Sequence, residues 1–405
     1  MQHQDPGNAG TAPRPLRFAR RMETTPRSFI REILKVTQSP EIISFAGGLP
    51  NPDLIDAPGI AAAAEKVLRE NGSKALQYAT TEGDPDLRRF IADRYKKRLG
   101  LTVSPDEVLI TNGSQQCLDL IGKVFINPGD RLAIERPGYL GAIQAFSLFE
   151  PAFVGVPLLR TGVDTENLRQ QQEAGEIPLM YGVPNSQNPS GITYSDTCRR
   201  DLAEVLREYG TVFVEDDAYG ELTFSGTSHP PVFAALRDHA VLTGSFSKIL
   251  SPGMRLGWIC ARGEIMEKIV TAKQASDLHS NVLAQQIAAR YLADTSIDDH
   301  IRKIRGAYAR QCSCMLEMIK SELPETVEYT RPEGGMFVWL TLPEGCSSME
   351  VFDAALKKDV AVLPGLPFYV DGGGGDTLRL NFSNAPEARI VTGIRRLGSV
   401  ITSLA

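Results

Sequence analysis

A doubly wound α/β domain followed by a smaller α+β domain is the fold class predicted by this 405-residue sequence, on three observations. From about Val108 onward, short β-branched runs alternate with amphipathic stretches of helical period. The runs are apolar almost throughout rather than at every second residue, the pattern of strands buried on both faces of a parallel sheet. After roughly Ala284 the alternation gives way to a long helical stretch and short, separated strands.

Seven strands are read from these runs: Val108–Thr111, Arg131–Glu135, Phe153–Val156, Pro178–Val183, Val212–Glu215, Val241–Gly244 and Leu256–Cys260. Between them, Ser114–Asn127 gathers Cys117, Leu118, Ile121, Val124 and Phe125 on one helical face before the stop signal Asn127–Asp130. Ser195–Tyr209 is a second helix, opened by a capping serine and ended by Gly210. A helical region runs on to about Glu322, followed by strands around Gly335–Leu342, Val360–Leu363 and Thr377–Asn381. The glycine-rich stretch Asp371–Asp376 reads as a plain hairpin connection. The expected division is an N-terminal arm and covering segment over 1–50, a large domain over 51–284 and a small domain over 285–405. The arm should pack with the small domain.

Composition narrows the function classes. Lys and Arg total 43 against 49 Asp and Glu, a formal charge of −6 that argues against binding a polyanion such as nucleic acid. The longest apolar run, Val360–Val370, is short and broken by two prolines, so no membrane span is expected. The six cysteines form no Cys-x-x-Cys pattern, so reduced, buried thiols and no metal site are expected. The first fourteen residues lack the apolar core of a signal peptide and read as a frayed terminus. A cytoplasmic enzyme fits all of this.

The chemistry gathers at strand ends. Ser245-Phe-Ser-Lys248 opens a segment that reaches Arg255 and Trp258 between two buried strands. A lysine held among apolar groups has a depressed pKa, as a Schiff-base nucleophile requires. Thr111–Gln116 follows a strand and opens a helix, so its main-chain N–H groups and the Ser114 hydroxyl make an anion site, with simple capping by Ser114 as the plainer reading. Ser245, Ser247 and Arg255 supply further donors for a phosphate. Asn185 and Asp216 follow two more strands, with Tyr219 three residues beyond Asp216. Asn185, Asp216 and Lys248 are 31 and 32 residues apart, each interval one crossover unit, which places all three on one rim of the sheet.

With these residues in place the sequence resembles the fold type I pyridoxal-phosphate aminotransferases, in particular the branch of 2-aminoadipate and kynurenine aminotransferases. The resemblance runs from about Ser28 to the C-terminus. It implies pyridoxal 5′-phosphate as cofactor, joined to Lys248 as an aldimine. It further implies Asp216 at the pyridine nitrogen, Asn185 and Tyr219 at the ring hydroxyl, and Tyr139 stacked on the ring. Ser114, Gln115, Ser245, Ser247 and Arg255 match the phosphate cradle. Tyr78 matches a tyrosine contributed by the other subunit, which implies a homodimer with shared active sites. Arg379 matches the arginine that holds the substrate α-carboxylate. Gly47, Gly48 and Arg31 fall in the segment that covers substrate, where Arg31 matches a residue meeting a distal carboxylate in some relatives.

The physical reasons agree. A carboxylate at Asp216 keeps the ring nitrogen protonated, and a guanidinium at Arg379 meets a carboxylate with two parallel donors. Ser186 and Ser190 depart from the aromatic and threonine common in relatives, which bears on pocket shape. The expected reaction moves an amino group from an L-amino acid to a 2-oxo acid, 2-oxoglutarate by expectation, in a ping-pong cycle; acidic, aromatic and broad donor choice all remain open. The alternatives are a lyase or decarboxylase on the same scaffold and a non-catalytic ligand-binding regulator.

Overall fold

The computed structural model describes residues 16–25, 39 and 41–404. Its large domain is built on strands β1 (Val108–Thr111), β2 (Arg131–Arg136), β3 (Ala152–Leu159), β4 (Gly162–Val163), β5 (Leu179–Gly182), β6 (Val212–Asp216), β7 (Ala240–Ser245) and β8 (Gly257–Cys260). They lie in the order β1-β8-β7-β6-β5-β2-β3-β4. β8 runs antiparallel to both neighbours and β4 antiparallel to β3, while the other pairs are parallel. Every residue of β1, β5 and β7 is buried, which is why these strands are apolar runs rather than alternating ones. The two-residue strand β4 is the eighth, beyond the seven expected; so short a pairing leaves no periodicity to read.

Six helices matter for the site and its frame: α1 (Ser114–Phe125), α2 (Asp196–Tyr209), α3 (Gly263–Ser276), α4 (Val282–Asp294), α5 (Ile297–Glu322) and α6 (Glu387–Leu404). α1 buries Cys117, Leu118 and Ile121 against the sheet, as its period requires. α2 starts where the Ser195 hydroxyl accepts from Cys198 N–H and stops at Gly210, whose φ of 67° suits a residue without Cβ.

The small domain carries β9 (Glu328–Tyr329), β10 (Phe337–Thr341), β11 (Leu363–Pro364) and β12 (Thr377–Asn381) in the antiparallel order β9-β10-β12-β11. α5 and α6 pack together beside it. The expected single strand Val360–Leu363 is divided between two sheets. Val360–Ala361 pairs in parallel with Ile43–Ser44, whereas Leu363 pairs with Arg379 on β12. Asn381 N–H also donates to Phe45 C=O, so the segment after residue 41 is stitched to the small domain. The expected boundary at 284/285 falls inside α4. That helix packs on the helices Ala57–Ala75 and Pro85–Leu99.

Among the described residues, no helix is long and apolar enough to cross a membrane, no cluster of side chains could hold a metal ion, and all six cysteines are unpaired.

Candidate active site

A cavity of about 210 Å³ opens at the carboxyl ends of β5, β6 and β7, where parallel sheets expose their loops to ligands. Val183, Asp216 and Ser245 reach it from those three strand ends, and Lys248 and Arg255 from the segment after β7. α1 brings Ser114 and Gln115 to one side, and Arg379 enters from β12 of the small domain. Ser247, Tyr139, Tyr219 and Gly48 complete the predicted residues found there.

Asp216 is 3% exposed. Tyr181 O–H donates to its Oδ2 at 2.8 Å, while its buried Oδ1 has no hydrogen-bond partner. Burial pushes the carboxyl up to about 6, against the pull of the Tyr181 hydrogen bond. A proton-bearing cation beside Oδ1 would satisfy that oxygen and return the group to its ionised form. Lys248 Nζ donates to Gly48 C=O at 2.9 Å and faces Arg379 and Arg255 as like charges. Burial first, then those two guanidinium groups, brings its ammonium down to about 8.

The anion end is made by backbone. Gly113, at φ 75°, precedes Ser114 and has no side chain to cap α1, so the first N–H groups of the helix stay open. A Cβ on Gly113 would lie 2.8 Å from Arg255 Nη2, and one on Gly257 would lie 2.8 Å from Ser114 N. Both glycines therefore let the cationic Arg255 and the helix start crowd together. The capping role expected for Ser114 is absent, because Gly113 occupies that position.

Arg379 is 1% exposed, under the ring of Phe337 at 4.3 Å and near that of Phe368 at 5.4 Å. Nη1 donates to Asn188 Oδ1 at 2.9 Å and Nη2 to Ala46 C=O at 2.7 Å, while Nε has no partner. Both partners are neutral. A buried guanidinium so placed is short of an anion.

Asn185 is a correction. It does not line the cavity: its Nδ2 donates to Asp217 Oδ1 at 2.7 Å, and its Oδ1 accepts from Arg199 Nη2 at 2.7 Å. Asn188, three residues on, takes the expected place, contacting both Arg379 and Tyr219. The buried carboxylate of Glu135 fixes this loop by accepting from Val183 N–H, Gln187 Nε2 and Tyr194 O–H. Gln187 in turn accepts from Ser190 N–H and O–H and donates to Pro137 C=O. Burial raises Glu135 to about 7 despite these donors.

Other expected residues stand apart from the cavity. Gly47 is buried and does not line it, and Ser186 packs against Gly334 and Gly335 instead of shaping it. Tyr78 is 79% exposed, edge-on to His279 and outside the cavity of its own chain. Arg31 lies outside the described residues. Asp371 does more than connect a hairpin: both its carboxylate oxygens accept from Arg136 Nε, joining the small domain to the end of β2. Tyr181 and Asn188 were missed by sequence reasoning. A tyrosine inside an otherwise apolar strand, and a second asparagine in the same polar loop, were the available signals.

Fold and cavity together gather a buried lysine, a buried carboxylate with one free oxygen, a guanidinium with a partnerless Nε and an open helix start beside Arg255 at one edge of the sheet. The chain belongs to the aminotransferases of class I and II, whose family model matches residues 47–397. It is 43% identical over 381 residues to the 2-aminoadipate transaminase of Thermus thermophilus, covering 93% of this chain and 94% of that one. It is 40% identical over 380 residues to aromatic-amino-acid aminotransferase 1 of Thermococcus litoralis, covering 92% and 91%. The crystal structure of an α-aminoadipate aminotransferase from Thermus thermophilus, complexed with N-(5′-phosphopyridoxyl)-L-leucine, superposes with a TM-score of 0.89 at 41% identity, over 96% of this chain and 97% of that one. The protein is thus a pyridoxal-phosphate-dependent aminotransferase of fold type I.

Proposed function

We propose that this enzyme takes the α-amino group from L-amino acids with acidic or aromatic side chains and passes it to a 2-oxo acid, 2-oxoglutarate first among them, in two successive half-reactions. The observation that carries this reading is the buried Arg379, facing only neutral partners in the cavity that also holds Lys248. The donor class follows from the relatives, which are named for 2-aminoadipate and for aromatic amino acids.

Pyridoxal phosphate, when bound, supplies a conjugated electron sink for the pair of electrons left at the substrate Cα. The chain's own residues do the rest. Asp216 would hold the proton on the ring nitrogen through Oδ1, and Tyr139 would lie on the ring face. Asn188 and Tyr219 would meet the ring hydroxyl, in place of the pair Asn185 and Tyr219. Ser114, Gln115, Ser245, Ser247 and Arg255 would hold the phosphate. Arg379 fixes the substrate carboxylate and so aims Cα–H at Lys248, whose Nζ takes the proton and returns it. An amine held near pKa 8 suits both tasks, since the two protonation states are close in energy at neutral pH. Gly48, whose carbonyl already meets Lys248, would approach the substrate with its main chain, with Gly47 and Arg31 in the covering segment.

The working unit is proposed to be a homodimer in the cytoplasm. Leu76 and Tyr78 are 71% and 79% exposed, an apolar pair unsuited to water, and six free thiols suit a reducing compartment. Mixing the loaded enzyme with single amino acids, one turnover each, and following the cofactor's absorbance tests the reading. Acidic and aromatic donors should convert the cofactor to its amine form, and the oxo acid should restore it. Continued turnover without an acceptor would instead indicate a lyase. A monomer with full activity would refute the shared site.

A further inference from the structure

Lys273, on α3, is fully buried, yet nothing in the reaction above uses it. A buried ammonium loses its hydration and persists only where acceptors surround it. Here Nζ reaches four side-chain oxygens: Gln116 Oε1 at 3.0 Å, Asp277 Oδ1 and Oδ2 at 2.9 and 3.0 Å, and Ser280 Oγ at 3.1 Å. Asp277 Oδ2 also accepts from Asn112 Nδ2 at 2.6 Å and from Gln116 Nε2 at 2.7 Å. Gln116 Oε1 further accepts from Asn112 N–H at 2.8 Å, and Ser280 Oγ donates to Ile110 C=O at 3.2 Å. Every polar side chain in the cluster is therefore tied to another or to the end of β1.

What the cluster holds matters more than its own stability. Asn112 and Gln116 flank Gly113, Ser114 and Gln115, and of these Ser114 and Gln115, at the open start of α1, line the cavity. Gly113 has no side chain, and its main chain is tied only to near neighbours, its N–H to Thr111 C=O at 2.9 Å and its C=O to Thr111 Oγ1 and Gln116 N–H, both at 3.2 Å. The long-range side-chain contacts on this turn come from the two flanking residues, and both are gripped by the Lys273–Asp277 pair. Neither Asn112 nor Gln116 lines the cavity, so the grip acts from behind.

We propose that Lys273 is a positioning residue for cofactor phosphate: with Asp277 it clamps Asn112 and Gln116 and so aims the donors of Ser114 and Gln115 at the 5′-phosphate. The proposal rests on the reading of this helix start as the phosphate cradle. It predicts a defect confined to the phosphate, which a general loss of packing would not produce.

The test compares apo-protein affinity for pyridoxal 5′-phosphate and for pyridoxal, which lacks the phosphate, in the wild type, Lys273→Met and Arg255→Ala. Lys273→Met should weaken pyridoxal-phosphate binding about tenfold or more and leave pyridoxal binding within about twofold. Asn112→Ala, which severs one arm of the clamp with less disturbance of burial, should show a smaller loss of the same selectivity and covers the case in which Lys273→Met does not fold. Equal losses for both ligands, or no loss for either, would overturn the role of Lys273. Failure of the cradle reading itself looks different: Arg255→Ala would then lose no more affinity for the phosphate form than for pyridoxal.

Discussion

Replacing Arg379 with lysine isolates geometry from charge. The site keeps one cation, so the electrostatic setting of Lys248 is largely preserved, but the planar fork is lost. Of the five N–H donors of the guanidinium, two are engaged by Asn188 and Ala46, which leaves Nε and one hydrogen on each Nη for a carboxylate. A lysine that keeps its neutral partners can offer one. The difference is one charge-assisted hydrogen bond, about 1.5–3 kcal/mol. Loss of the flat contact with Phe337 at 4.3 Å adds to it, by about 0.5–1 kcal/mol. Together these predict a fall in kcat/KM of about 30- to 1000-fold. The assay is the rate of the first half-reaction with an amino acid and with the amine of the same side chain lacking the carboxylate. Arg379→Lys should lose rate with the acid and little with the amine. A kcat/KM within about threefold of wild type, or equal losses on both substrates, would refute the assignment.

Two asparagines give a second, paired expectation. Asn188→Ala removes the acceptor of Arg379 and the partner of Tyr219, and should lower kcat/KM about 10- to 100-fold, beyond any loss of stability it shares with Asn185→Ala. Asn185→Ala leaves Asp217 and Arg199 each short of a buried partner, and should cost about 1–3 kcal/mol in denaturant unfolding with milder kinetic effect; the reverse ranking would restore Asn185 to the cavity. A third concerns pH. Since burial and two neighbouring guanidinium groups bring Lys248 down to about 8, the free amine becomes the major form above that pH. Covalent capture of pyridoxal phosphate by the apo-protein, read after borohydride reduction, should rise with pH through about 8 and then level, and should vanish in Lys248→Ala. A rate still climbing toward the ordinary lysine value of about 10.4 would contradict it.

Much of the fold was legible because burial writes itself into composition. β1 and β12 match their expected ranges residue for residue, and the other six strands expected in the large domain shift by one to three residues at an end. A strand covered on both faces must be apolar along its whole length, and that is a local property. Strand pairing is not local. Nothing within Val360–Leu363 says that its first half joins residues 43–44 and its second half joins β12. The spacing of crossover units located the rim, and with it Asp216 and Lys248, because each unit returns the chain to the same edge of a parallel sheet. It could not choose between Asn185 and Asn188, since the choice depends on Arg199 and Asp217 capturing the former.

The charge count shows the same division. A net −6 described the surface, whereas the cavity gathers Lys248, Arg255 and Arg379 around the single carboxylate of Asp216. By itself the sequence determined the class of fold, the rim on which the cavity opens and the lysine that lines it, because these follow from periodicity and from residues that stand near one another along the chain. Only the tertiary structure decided which polar side chains lack partners and which have them: the free Oδ1 of Asp216 and the unsatisfied Nε of Arg379 against the engaged amide of Asn185 and the Lys273 cluster behind α1. A hydrogen bond is satisfied or not by atoms that folding brings together, from 14 residues apart for Asn185 and Arg199 to 191 for Asn188 and Arg379, and no local pattern encodes that meeting.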